Sequence, residues 1–417
     1  MSLRLILASA SLFALAACGA PDPVTPDPTA SSTEAKPQSG GAPVLTVEQI
    51  EAGVPAASTP GAATATPAPA PAVGEAGAVA TAVTAPDPGL VRLQVLLDRT
   101  VFSPGMIDGL AGENTRQAIG AYRKANNLGS GDRADAALLQ HLAAADTARV
   151  MTQYVMTAAD VAGPFSPPAR GELADIARSG TNFVSPLERL AERFHITEAL
   201  LQGLNPGVDF SRAGQTLVVP AVTDTPLAGI ARIVVDKTER SARAFDAAGK
   251  LLAFYPATIG SSERPAPSGT VTVTGVAPEP NYTYDPSRVT YDRGDEKVVI
   301  PAGPNNPVGT VWIDLSRDTY GIHGSPDPSK IGKTASNGCV RLTNWDAEQL
   351  AAGVKPGVVV RFMGVPNPIP PCGGRWQAEP DGGGGCDTPP TDQRLLHSAC
   401  QQNQHPHPSR FAAHLPP

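Results

Sequence analysis

The sequence predicts a multidomain chain: a small all-α three-helix unit, an α+β module, and a mostly-β domain built as a sandwich or barrel with one or two helices. Three observations carry this. A chain of 417 residues exceeds what one core usually organises. Its apolar positions first recur at helical spacing, then switch near residue 230 to short β-branched runs between turn clusters. Its 41 Gly and 44 Pro gather in particular stretches, so linkers alternate with ordinary domains.

The first stretch, 1–17, carries Arg4, an apolar run from Leu5 to Ala14, then Leu15-Ala16-Ala17 and Cys18. The run is too short to span a bilayer and predicts an export signal. Leu15-Ala16-Ala17 could serve as a plain cleavage site. The segment also resembles the bacterial lipobox, which implies that Cys18 is diacylated and becomes the mature N-terminus; each buried acyl methylene adds roughly 0.8 kcal/mol of anchoring. That resemblance, with Gly19 after the cysteine, implies a periplasmic protein anchored to the outer membrane. Residues 18–88 are Ala, Pro and Thr with almost no aromatic side chain, and predict a disordered tether.

Residues 89–145 follow. Leu90, Leu93, Leu96 and Leu97 give one helical face; Thr115, Ala118, Ile119 and Tyr122 give another. Turn residues 103–112 lie between them. The pattern Leu93-Gln94, Pro104-Gly105, Asp108-Gly109, Gly112, Thr115 and Ala118-Ile119 resembles the three-helix peptidoglycan-binding domain, with a generic helical spacer as the alternative. In 150–221, Ser185-Pro186-Leu187-Glu188 predicts a capped helix start, Thr197 a second, and Asn205-Pro206-Gly207 its end. With Gly214-Gln215-Thr216-Leu217 leading into a strand, this order resembles a LysM module, which implies glycan binding. The usual opening Gly-Asp-Thr-Leu is missing, so a packing role stands beside it.

The domain from 229 to 364 reads as strands over 232–236, 251–257, 270–276, 308–315 and 358–362. One helix is expected over 345–352, capped by Thr343 or Asn344. Within it Tyr320-Gly321-Ile322-His323-Gly324-Ser325 is followed by Ala335-Ser336-Asn337-Gly338-Cys339-Val340-Arg341-Leu342. Both the Cys and the His stand among glycines and small residues, which suit a backbone approached closely by a ligand. A thiol attacks as thiolate and has an ordinary pKa of about 8.5, so a nearby imidazole must take its proton. No cofactor or metal site is expected, and His141 and His195 read as ordinary helical residues. The net charge of -7 argues against a nucleic-acid partner.

These two motifs resemble the L,D-transpeptidase (YkuD-like) catalytic domain, whose pattern is His-Gly-Thr/Ser, a spacer, then Ser-x-Gly-Cys-hydrophobic-Arg. Residues 256–260 and 300–309 extend the match. The resemblance implies Cys339 as nucleophile and His323 as base, with Ser336, Asn337, Gly338 and Gly324 supporting the loop and the oxyanion, and Arg341 binding a substrate carboxylate. A structural ion pair is the alternative for Arg341. Many members carry His where Asn337 stands. The implied donor is a tetrapeptide stem of peptidoglycan that loses D-Ala to form a thioester. The acceptor would be a second stem (a 3–3 cross-link), a Lys-ended envelope lipoprotein, or water, the last making an L,D-carboxypeptidase. A non-catalytic wall-binding lipoprotein is the rival class. With Cys18 and Cys339 so assigned, Cys372, Cys386 and Cys400 leave no even disulfide framework. They share 365–417 with His397, His405, His407 and His414, without zinc-site spacing. Disorder is the expectation there; a zinc site or a frame error at the gene's end are the alternatives.

Overall fold

The computed structural model describes residues 45–55, 85–168, 171–261, 264–288, 294–336 and 338–365. The export segment, Cys18, Asn337, and the stretch 366–417 with its cysteines and histidines lie outside the described residues.

A departure from expectation falls inside 18–88. Val47–Ala52 is a helix, α1. Thr46 caps it, its hydroxyl accepting from Gln49 N–H while the Gln49 side chain accepts from Thr46 N–H. Ile50 is 0% exposed and joins the core of the helices that follow. The tether reading is corrected there: one buried isoleucine is too little to show as periodicity, yet enough to dock one short helix.

Helices α2 (Pro88–Arg99), α3 (Glu113–Ala125) and α4 (Ala136–Ala145) come next. Asp87 caps α2 and Asp135 caps α4, each side chain accepting an otherwise orphaned N–H. The glycine-rich turn between α2 and α3 is tied by Gln94, which is fully buried. Its amide donates to Asp108 Oδ1 at 2.8 Å and Thr115 Oγ1 at 3.0 Å, and its Oε1 accepts from Asp108 and Gly109 N–H. These bonds tie together the Gln, Asp-Gly and Thr of that stretch in this chain.

Strand β1 (Met151–Val155) then pairs antiparallel with β2 (Thr216–Pro220), enclosing α5 (Ala158–Val161), α6 (Leu173–Ser179), α7 (Pro186–Arg193) and α8 (Glu198–Leu204). Ser185 and Thr197 cap α7 and α8 as expected. Asn205 fastens α8 to β2, donating to Leu201 and Val218 carbonyls and accepting from Val218 N–H. One hydrophobic cluster runs from Ile50 through Leu93, Leu138 and Ile196 to Val219, so the stretches expected as two separate domains share a core. His195 also differs from its reading as a helical residue. It lies just past α7 at φ 54°, with Nδ1 3.1 Å from both Asp98 carboxylate oxygens and its ring stacked on Trp345. His141 does sit in α4.

The remaining elements are β3 (Arg232–Asp236), β4 (Ser241–Phe245), β5 (Leu251–Pro256), β6 (Thr258–Ile259), β7 (Gly269–Pro278), β8 (Tyr282–Tyr284), β9 (Val298–Ile300), β10 (Val311–Leu315), β11 (Gly321–His323), β12 (Val340–Arg341), α9 (Asn344–Gly353) and β13 (Val359–Met363). β8 and β9 form a hairpin against α6 through Leu173, Ile176, Tyr284 and Ile300. Among the described residues, nine of these strands form a single sheet in the order β5-β4-β3-β13-β7-β10-β11-β12-β6. Its core gathers the inward residues of alternate positions, Ile233, Val235, Ile313, Ile322 and Val340 among them, under Leu350 of α9. The segment 101–103 runs alongside β5, with Phe254 donating to the Val101 carbonyl and Ser103 donating to the Phe254 carbonyl.

Candidate active site

The two motif segments become neighbouring strands. β11 and β12 pair in parallel, Ile322 opposite Val340 and His323 opposite Arg341. Cys339 immediately precedes β12, two residues before Arg341, which brings it next to the strand that ends in His323. The register continues sideways: Trp312 of β10 partners His323, and Thr258 of β6 partners Arg341. The sheet therefore lines up Trp312, His323, Arg341 and Thr258 across four strands.

His323 is 2% exposed. Trp312 stacks on its ring, centroids 5.4 Å apart. Its Nδ1 lies 2.7 Å from the Gly324 carbonyl, which fixes the ring's orientation. Burial pushes the imidazole pKa down to about 3 and the Arg341 charge adds to this, while hydrogen bonds to the Gly324 and Val308 carbonyls act the other way. Near neutrality the ring is uncharged and able to accept a proton.

Cys339 is partly buried. Its Sγ lies 3.7 Å from the Thr319 carbonyl, presented by a residue at φ 69°. A β-branched residue in that region is strained by on the order of 1–3 kcal/mol, a feature that clusters at functional sites. Burial raises the thiol pKa, with the Gly321 N–H and Arg341 pulling it back. At rest the thiol and the imidazole are both neutral.

The loop before Cys339 is held by short bonds. Ser336, 3% exposed, donates to the Cys339 carbonyl at 2.5 Å, and its own carbonyl accepts from Ser261 N–H. Gly338 sits at φ 103°, and a Cβ there would meet the Tyr320 ring at 2.9 Å, so only glycine allows this turn. Of the expected residues, the structure brings together Cys339, His323, Ser336, Gly338, Gly324 and Arg341; Asn337 lies outside the described residues.

Asn344, expected only as a helix cap, proves to be a hub. It is 3% exposed at the start of α9. Its Oδ1 accepts from Ser325 N–H at 3.1 Å and Thr310 N–H at 3.3 Å. Its Nδ2 donates to the Pro304 carbonyl at 3.2 Å and to Glu192 Oε2 of α7 at 3.0 Å. A Cβ on Gly324 would lie 2.2 Å from that Oδ1, so the glycine after His323 is glycine because Asn344 occupies the space. The signal in the sequence was that glycine, whose missing side chain demanded a partner elsewhere. Trp312 and Thr258 gave no such signal; only the register reveals them.

Residues 230–361 match the family model of the L,D-transpeptidase catalytic domain, YkuD. A protein named as an L,D-transpeptidase YkuD of Bacillus licheniformis is 31% identical over 176 residues, covering 42% of this chain and 91% of that protein. The ErfK/SrfK L,D-transpeptidase of Salmonella typhimurium is 30% identical over 203 residues, 47% of this chain and 65% of that protein. Among solved structures, an L,D-transpeptidase from Mycobacterium smegmatis is 18% identical over 36% of this chain and 64% of that one, with a TM-score of 0.27.

Proposed function

Because the chain belongs to the YkuD family of L,D-transpeptidases, we propose that its mostly-β domain remodels peptidoglycan by acyl transfer through Cys339. The observation that supports this is the β11–β12 register, which pairs the buried His323 with Arg341, two residues after Cys339, so that the two motifs stand on neighbouring strands. His323 takes the thiol proton as sulfur attacks the diaminopimelate carbonyl of a tetrapeptide stem. The carbon–sulfur bond forms, the bond to D-Ala breaks, and His323 returns its proton to the leaving amine. Backbone N–H groups at 337–339 receive the developing oxyanion. An acceptor amine then opens the thioester and the thiol regains a proton. Arg341, across from the imidazole, offers its guanidinium fork to a substrate carboxylate.

A stem peptide as acceptor gives a 3–3 cross-link, and a Lys-ended lipoprotein gives envelope attachment. Residues 89–145 and 150–221 are read as wall-holding modules, and Cys18 as the lipidated residue of a periplasmic, outer-membrane-anchored protein. The sequence patterns at those positions support these readings.

Intact-protein mass spectrometry after mixing with a carbapenem tests the nucleophile. A covalent adduct is expected in the wild type, lost in Cys339→Ala, and kept when Cys372, Cys386 or Cys400 is changed. An adduct persisting in Cys339→Ala would defeat the assignment. Labelling with radioactive palmitate, abolished by Cys18→Ala, tests the anchor. Digested cell walls from cells with and without the protein distinguish the acceptors: 3–3 dimers, lipoprotein-linked stems and extra tripeptides each mark one.

A further inference from the structure

Glu192 is a carboxyl group where the reaction described above has no use for one. It stands in the last turn of α7, outside the matched domain, and is 8% exposed. Its Oε2 accepts from the Asn344 amide at 3.0 Å, and its Oε1 is buried without a hydrogen-bond partner among the described residues. The same Asn344 accepts Ser325 N–H, and Ser325 follows Gly324, whose carbonyl lies 2.7 Å from the His323 ring nitrogen. A continuous line of hydrogen bonds and one peptide unit therefore joins the helical half of the molecule to the imidazole.

We propose that Glu192 is a positioning residue for His323: the upstream module supplies the acceptor that fixes the Asn344 amide, and Asn344 in turn sets the Gly324–Ser325 turn that aims the ring. This rests on His323 acting as the base. Asn344 Nδ2 must find acceptors because an unpaired buried donor costs about 1–3 kcal/mol. Its two acceptors are the Pro304 carbonyl and Glu192, and Glu192 is the one that α7 delivers. Turning the amide to seek another acceptor would withdraw Oδ1 from Ser325 N–H. Burial pushes the Glu192 pKa up to about 8, Glu188, Glu348 and Asp327 push it further, and the Asn344 bond opposes them. Near neutrality the group is therefore a neutral carboxyl, and a glutamine can replace it as acceptor without adding a buried charge.

The test uses the full chain and two readouts. One is the pH titration of the His323 imidazole by NMR; the other is the rate of carbapenem acylation. In the wild type the ring stays neutral down to the lowest pH at which the protein is folded. In Glu192→Leu the turn loosens and water reaches the ring, so its midpoint moves up toward the ordinary value of about 6.5. Acylation then slows roughly tenfold to a hundredfold, as for a misplaced catalytic group. Glu192→Gln restores the acceptor and with it the wild-type titration and rate. Should Glu192→Leu fail to fold, Glu192→Asp keeps the acid but withdraws it by one methylene, and the same upward shift is expected. An unshifted titration in a folded Leu or Asp variant, or a Gln variant as impaired as the Leu variant, overturns the proposal. If the wild type forms no adduct at all, the functional reading fails, while the titrations still decide whether Glu192 positions the ring.

Discussion

Arg341 stands directly across from His323 in the parallel β11–β12 ladder, and its positive charge is the second cause, after burial, of the depressed imidazole pKa. A ring held neutral in this way stays unprotonated far below the pH at which a free histidine would charge. Removing the charge in Arg341→Gln should raise the imidazole midpoint and move the acid limb of the acylation-rate profile upward. The variant's limb is compared with wild type by single-turnover acylation across pH 4 to 8. An unchanged limb would show that burial alone sets the ring.

Protein stability should also depend on pH, with two opposing signs. His323 has a folded pKa of about 3, below its ordinary value, so its contribution is present above about 6.5 and is lost as pH falls toward 3. Glu192 and Asp346 are pushed up to about 8 and about 7, each chiefly by burial. Their contributions are complete below about 4 and are lost as pH rises through those values. Thermal unfolding should therefore show a maximum near pH 4 and a decline as pH rises to about 8. Asp346→Asn should flatten that decline, because the amide has no proton to lose.

Gly324→Ala should damage the site although it adds only a methyl group. The new Cβ would lie 2.2 Å from Asn344 Oδ1, so the amide must leave Ser325 and Thr310. Overpacking of this kind costs about 1–3 kcal/mol. Acylation should fall at least tenfold, judged by the same mass-spectrometric assay. Wild-type rates in this variant would mean that the turn adapts freely.

Ile50→Ala tests the helix found within the expected tether. Burying this side chain fully against α2 should make its truncation cost about 2–4 kcal/mol of docking energy. The change should appear as faster amide exchange confined to 46–52 and their contacts. Proteolysis should then open near residue 53 before the rest of the molecule unfolds.

Much of the site was legible because glycine and small residues cannot hide: Gly324, Gly338 and Ser336 flank the reactive pair, and each is explained by a close approach. The strands that carried clear β-branched runs, such as β3 and β13, were likewise plain. The missed strands β4, β6, β8, β9, β11 and β12 are short or built from Ala, Gly and Arg, and owe their existence to neighbouring strands rather than to local preference. The role of Asn344 beyond helix capping, and that of Glu192, escaped for a related reason. Their partners lie at distant positions, a separation of 152 residues in the case of their own hydrogen bond, and a linear reading sees neither end.

The pairing of 101–103 with β5 has a consequence for how this enzyme can be dissected. β5 ends the nine-stranded sheet, and Phe254 at its middle finds both backbone partners in Val101 and Ser103. Its ring also belongs to the hydrophobic cluster of the helical half. A fragment cut to 229–364 would bare the Phe254 N–H and C=O beside its apolar ring, at a sheet edge open to pairing with another strand. Such a fragment would self-associate through that border. Keeping α2 and the segment 101–103 in a shortened form would keep that edge covered, so the helical half shields the border of the sheet it accompanies.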